Sequence, residues 1–166
     1  MSKTIDLAIL YAAQKKLDAL INSKHHLTYS ETLEERKLAF LVELSELANA
    51  TRTFKYWSQK GSEDRLRLLD EYADGLHFLL SLGLATGIVV DKISYIKSDD
   101  SKLTTHFLNV YQLFVEFMIT NDQRAYLAAF RSFLNLGDAL GFSHEDIIAA
   151  YQNKLSINYT RQENNY

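Results

Sequence analysis

Proline is absent from this chain of 166 residues, where average usage would place about eight. Glycine is scarce, at six, and cysteine is missing altogether. Without the residues that make tight turns cheap, the many short loops of a β-sandwich or barrel are excluded, and long helices with few breaks are expected. Without cysteine there is no disulfide, thiolate zinc site, iron–sulfur cluster or cysteine nucleophile, which fits a cytoplasmic protein. Neither sign of charge dominates: 18 Lys and Arg face 21 Asp and Glu, for a net charge of −3. That balance argues against a nucleic-acid polymer or an acidic membrane as partner. The longest apolar stretch, Leu76 to Val90, has about 15 residues, short of the roughly 20 that span a bilayer. Asp6 interrupts the short apolar stretch at the N-terminus, which makes a poor secretory signal.

What is present is ordinary for a globular chain, with 47% hydrophobic and 23% charged residues, at a length that points to one domain with a sizeable core. Apolar periodicity predicts six helices: about Thr4–Asn22, Glu31–Trp57, Glu63–Ala85, Lys102–Ile119, Asp122–Leu140, and one from Ser143 to about Tyr159. Ser62 and Asn121 are the expected caps of the third and fifth helices. Residues 88–98 are read as helix or loop, because no second strand is evident to pair with Ile88-Val89-Val90. The expected architecture is all-α: a bundle of six helices around a four-helix core. A single domain covers residues 1–159, and the polar tail, residues 160–166, is disordered on composition and able to order on a ligand.

Two acid pairs stand out, Glu43/Glu46 and Glu71/Asp74, each spaced i, i+3 on one helix face. At about 100° per residue, Phe40, Leu47, Ala50, Phe54 and Trp57 fall within about 60° of Glu43. Leu68, Gly75, Phe78 and Leu82 surround Glu71 in the same way. Two helices thus aim carboxylates at the bundle interior, where like charges cost several kcal/mol each unless protonated, paired or bound to metal. Hard oxygen ligands suit Mg²⁺, with Mn²⁺ as substitute; the alternative is salt bridging to Arg36, Arg65 or Arg67. Near the C-terminus, Lys154, Asn158 and Arg161 recur at i, i+4, i+7, a plausible grip on phosphate oxygens or simply a solvated helix end.

Acids that collect a divalent cation and a basic strip that collects phosphate are the two halves of a nucleotide-hydrolysis site. The segments E43-L-S-E46, F54-K-Y-W57, E71-Y-A-D74-G-L-H-F78-L-L-S-L-G83 and K154-L-S-I-N158-Y-T-R161-Q162 resemble the dimeric all-α dUTPases of the all-α nucleoside triphosphate pyrophosphatase superfamily. That resemblance implies hydrolysis of dUTP, and of dUDP, to dUMP. It makes Glu43, Glu46, Glu71 and Asp74 magnesium ligands, with one of the catalytic glutamates, Glu43 or Glu46, helping to orient or deprotonate the attacking water. Lys154, Asn158 and Arg161 would hold phosphates or sugar, with Lys154 and Arg161 assisting the chemistry. Phe78 would pack on the base or deoxyribose, and Lys55, Trp57 and Tyr166 complete the implied substrate set. A homodimer is implied too, and the Phe- and Tyr-rich fourth helix offers an interface.

Base choice is expected from the first helix, where Gln14 and Asp18 are i, i+4 neighbours. A glutamine amide donates and accepts, matching the O4 and N3–H of uracil. Asp18 stands where the family pattern has an amide. An ionised carboxylate only accepts, so it could take N3–H of uracil or the amine of cytosine; dCTP or a wider pyrimidine pool is therefore the alternative substrate. A non-enzymatic helical interaction module is the alternative from another class. His25-His26 lie in a polar loop, and the Asp74-x-x-His77 spacing lacks the second Glu-x-x-His that a di-iron bundle needs.

Overall fold

A computed structural model describes residues 1–166. The order is β1 (Ser2–Asp6), α1 (Ala8–His25), α2 (Leu33–Thr51), α3 (Arg65–Thr86), β2 (Lys92–Ile96), α4 (Leu103–Thr120), α5 (Gln123–Ala139) and α6 (His144–Glu163). The all-α expectation holds: six helices carry the fold and the only sheet has two strands. No helix is long and apolar enough to cross a membrane.

α3 is the central element, buried on every side from Tyr72 to Gly83 save for Asp74 and Phe78, as a helix packed between neighbours must be. It contacts α1, α2, α5 and α6. Tyr72 stacks on Phe133 of α5 at 4.2 Å between ring centroids and donates its hydroxyl to the Phe133 carbonyl at 2.9 Å. Gly83 is needed by close approach: a Cβ there would lie 2.5 Å from the Tyr126 hydroxyl and 2.6 Å from the Ile88 carbonyl oxygen.

Several boundaries correct the sequence reading. The first helix starts at Ala8, because residues 2–6 form β1, which pairs antiparallel with β2 from Ser2↔Ile96 to Asp6↔Lys92. The helix-or-loop reading of residues 88–98 fails for the same reason: the partner strand lies some ninety residues upstream, at the N-terminus. Ile5, Ile93 and Tyr95 turn inward on the alternating period of a strand. An isolated two-stranded sheet is marginal, and α5 supports this one: Arg131 and Asn135 donate to the carbonyls of Ser94 and Ile96 at 3.0 Å each, and Asp138 pairs with Lys3 and Tyr95.

α2 stops at Thr51, six residues before the expected end, with Arg52 in the left-handed conformation at φ 59°. The Arg52 guanidinium then holds the following loop through the Lys60 carbonyl and the Ser58 hydroxyl. Asp64, not Ser62, caps α3, and Asp122, not Asn121, caps α5; Asn121 instead ends α4 at φ 51°. The expected start of α6 is present as a full capping box between Ser143 and Asp146. The tail corrects the opposite way: α6 continues through Thr160–Glu163, and the Tyr166 N–H closes the end on the Arg161 carbonyl at 3.0 Å.

Candidate functional site

α1, α2, α3 and α6 enclose a cleft of about 250 Å³. α1 contributes Gln14, Leu17, Asp18 and Ile21; α2 contributes Arg36 and Glu43; α3 contributes Asp74, His77, Phe78 and Ser81; α6 contributes Asn158 and Arg161. Each set recurs at three, four or seven residues, so one face of every helix turns toward the same space.

At one end the carboxylate oxygens of Glu43, Glu46 and Glu71 lie within 4.8 Å of one another. Octahedral Mg²⁺ at about 2.1 Å from its ligands would separate their oxygens by about 3 Å at neighbouring corners and about 4.2 Å across. The three carboxylates therefore stand a small contraction away from ligating distance. Their burial is graded, with Glu71 buried, Glu43 half-buried and Glu46 exposed. Burial first, then the charges of Asp74, Glu46 and Glu71, pushes the Glu43 carboxyl up to about 7. Glu71 rises to about 7 as well, again chiefly by burial, although Arg67 opposes it and Glu46, Asp74 and Asp70 add to it. Charges that raise one another's pKa in a partly dry site are a donor set that a divalent cation satisfies. The guanidinium of Arg67, half exposed, now ion-pairs with Glu71.

Asp74 is held from α6. Its carboxylate lies 2.8 Å from the Lys154 ammonium, which also contacts Asp70 at 2.7 Å. Burial wins on Asp74, whose pKa is raised; on Lys154 burial is outweighed by the two carboxylates, and its pKa is raised too. The four acids that the sequence groups together are thus three clustered glutamates and one aspartate held by α6. Asn158 and Arg161, on the same α6 face, reach the cleft, and the Arg161 guanidinium lies 4.9 Å over the Tyr166 ring. Tyr166 itself is exposed and outside the lining.

The other end is a hydrogen-bonded platform. Gln14 donates its amide to Asp18 at 3.0 Å and accepts from the Tyr151 hydroxyl at 2.9 Å. Asp18 also receives the hydroxyls of Ser81 at 2.7 Å and Tyr29 at 3.0 Å, with the Arg36 guanidinium at 3.5 Å. Arg36 in turn donates to Ser81 and Asn22 and stacks on the Tyr29 ring. Between the two ends lie Phe78 and His77, the latter stacked on Tyr151 at 4.1 Å. Burial lowers the His77 pKa to about 4, so the imidazole is neutral at pH 7.

Of the residues singled out in the sequence, Gln14, Asp18, Glu43, Asp74, Phe78, Asn158 and Arg161 share the cleft lining. Glu46, Glu71 and Lys154 join it through the carboxylate cluster and the Asp74 ion pair. Lys55 and Trp57 do not line it. They sit on the loop after α2, where the Lys55 ammonium covers the Phe54 ring and Trp57 is 66% exposed. Arg36, His77, Ser81 and Tyr151 were not named as site residues from the sequence. A signal existed for each of them, since Arg36, Ser81 and Tyr151 stand seven residues from Glu43, Asp74 and Asn158, and His77 three from Asp74. What no local pattern announces is that the Tyr151 hydroxyl crosses from α6 to Gln14 of α1.

A family model described as dUTPase matches residues 6–166 of the chain. No curated protein matches it.

Proposed function

We propose, from the premise that this chain belongs to the dimeric all-α dUTPase family, a magnesium-dependent hydrolysis of dUTP, and of dUDP, to dUMP. The observation that carries the metal requirement is the convergence of Glu43, Glu46 and Glu71 within 4.8 Å. These three, joined by Asp74, would hold Mg²⁺, with Mn²⁺ as substitute. Bound there, the ion supplies neutralisation of phosphate charge and a lowered water pKa.

The chain's own residues do the rest. Glu46, the exposed member of the cluster, orients the attacking water, and one of the glutamates accepts its proton. Lys154 and Arg161 neutralise charge on the phosphates as the α-phosphate departs in dUMP, and Lys154 exchanges Asp70 and Asp74 for phosphate oxygens as it does so. Phe78 packs on the deoxyribose, leaving a ribose 2′-hydroxyl without a polar partner. The Gln14 amide reads the base edge. Attack falls on the β-phosphorus, so that oxygen from ¹⁸O-water enters pyrophosphate rather than dUMP.

A second copy of the chain covers the outer faces of α2 and α4. Leu38 and Val42 on α2, and Leu108, Val115 and Ile119 on α4, are exposed and aligned at helical spacing. Ile119→Glu is expected to convert a dimer to monomer in sedimentation; a wild-type monomer would remove this part of the proposal.

The test is a nucleotide panel with pyrophosphate and phosphate measured separately, with and without Mg²⁺. Pyrophosphate from dUTP and phosphate from dUDP, both abolished by chelation, support the reading. Turnover that survives chelation contradicts it, and equal turnover of dCTP contradicts uracil selection.

A further inference from the structure

The reading of the base edge by Gln14 leaves one question: a glutamine amide fits uracil in one orientation and cytosine in the other. Uracil offers an acceptor at O4 beside a donor at N3. Cytosine offers a donor at N4 beside an acceptor at N3, the reverse order. An amide free to turn over would serve both. Selection therefore depends on what fixes the polarity of Gln14, and the structure shows what surrounds it.

Gln14 is 3% exposed and is held from both ends. On one side is Asp18, 2% exposed, whose oxygens receive the Ser81 and Tyr29 hydroxyls and the Arg36 guanidinium besides the Gln14 amide. Those donors and the part-buried Arg36 guanidinium engage both Asp18 oxygens and hold the side chain in place, so what it presents to Gln14 is an acceptor lone pair. A Gln14 oxygen turned toward it would set lone pair against lone pair. On the other side the Tyr151 hydroxyl, fully buried, donates to the Gln14 oxygen at 2.9 Å. The Tyr151 ring is fixed by the stacked His77, whose Nε2 lies 3.3 Å from the Tyr151 carbonyl. These contacts use one N–H and one lone pair of the amide, leaving one of each in fixed order.

We propose that Asp18, with Tyr151 as a second clamp, is a positioning residue that sets base specificity by fixing the polarity of the Gln14 amide, and does not itself bind the base. This rests on the reading that places the base against Gln14. Asp18→Asn offers a donor where only an acceptor stood and lets the amide turn. Tyr151→Phe keeps the stacked ring and removes the hydroxyl.

The experiment is calorimetric titration of wild type, Asp18→Asn, Tyr151→Phe and Gln14→Ala with dUMP and with dCMP, alongside thermal melts. The expected ratio of dissociation constants, dCMP to dUMP, falls at least about tenfold in Asp18→Asn, and by a smaller factor in Tyr151→Phe. A purely structural role would weaken both nucleotides together and leave the ratio unchanged, which overturns the clamp. If Asp18→Asn fails to fold, an unchanged ratio in Tyr151→Phe overturns it alone. Unaltered dUMP affinity in Gln14→Ala overturns instead the reading that the base meets Gln14, a separate failure.

Discussion

Replacing Glu43 by glutamine should make the metal-free protein more stable at pH 8, although it damages the site. The Glu43 carboxyl is raised from 4.5 to about 7 in the folded chain, by burial first and neighbouring acids second. A group whose folded pKa is raised contributes stability below its unfolded pKa and loses it as pH rises through the folded value. Here the loss runs from about pH 4.5 to about pH 7 and is complete at pH 8. At about 1.4 kcal/mol per pKa unit the full loss is about 3 kcal/mol, and solvent screening at a half-exposed site reduces it to about 1–2 kcal/mol. Glutamine keeps the shape and cannot ionise. At pH 8 in chelator, Glu43→Gln should therefore melt about 3–6 °C above wild type, with the gap closing below pH 5. Millimolar Mg²⁺ should reverse the order, because saturation to about 100 times Kd stabilises the wild type by about 2.7 kcal/mol. Differential scanning calorimetry at pH 5 and pH 8, with and without Mg²⁺, reads all four states. A variant that melts below wild type at pH 8 in chelator would show that Glu43 gains from its surroundings as an anion, and would refute the reasoning.

Glu46→Gln should lower turnover at least about 100-fold with a melting temperature within about 2 °C of wild type, since Glu46 is exposed; retained activity contradicts its role with the water. Arg67→Ala should tighten Mg²⁺ binding in titration calorimetry, because the guanidinium that now pairs with Glu71 competes with the ion; weaker binding would show that Arg67 orients the site instead. His77 should destabilise the fold in acid. Its pKa is lowered to about 4 by burial, so the unfolded chain takes up a proton below about pH 6.5 that the folded chain refuses, at a cost of up to about 3 kcal/mol by pH 4. Urea midpoints of wild type and His77→Gln should diverge over that window, and parallel curves would refute it.

Much of the fold was legible because helix burial repeats locally. Phe40, Leu47 and Ala50 are buried beside Glu43 where the apolar period places them. The absence of proline and the capping box at Ser143 acted over a few residues each. Strand pairing is different: Ile5 and Ile93 read as a strand only once brought together, and nothing within a window around either announces the other. The end of α2 was misread because Phe54 and Trp57 continue the apolar spacing, while the stop comes from the Arg52 conformation and its grip on the loop. In the site, the i, i+3 spacing puts Glu43 and Glu46 on one face of α2, while Glu71 meets them only through the docking of α3 on α2. That Lys154 would be buried against Asp74, and that Tyr151 would hold Gln14, depends on the docking of α6 on α1 and α3, which no helix encodes by itself.

Crystals soaked in Mn²⁺ and measured for anomalous scattering test most directly whether these acids turn inward to meet a cation. The account predicts a peak within ligating distance of Glu43, Glu46 and Glu71, with Arg67 displaced from Glu71. A map with no peak there, and Glu71 still joined to Arg67 at saturating Mn²⁺, would contradict it.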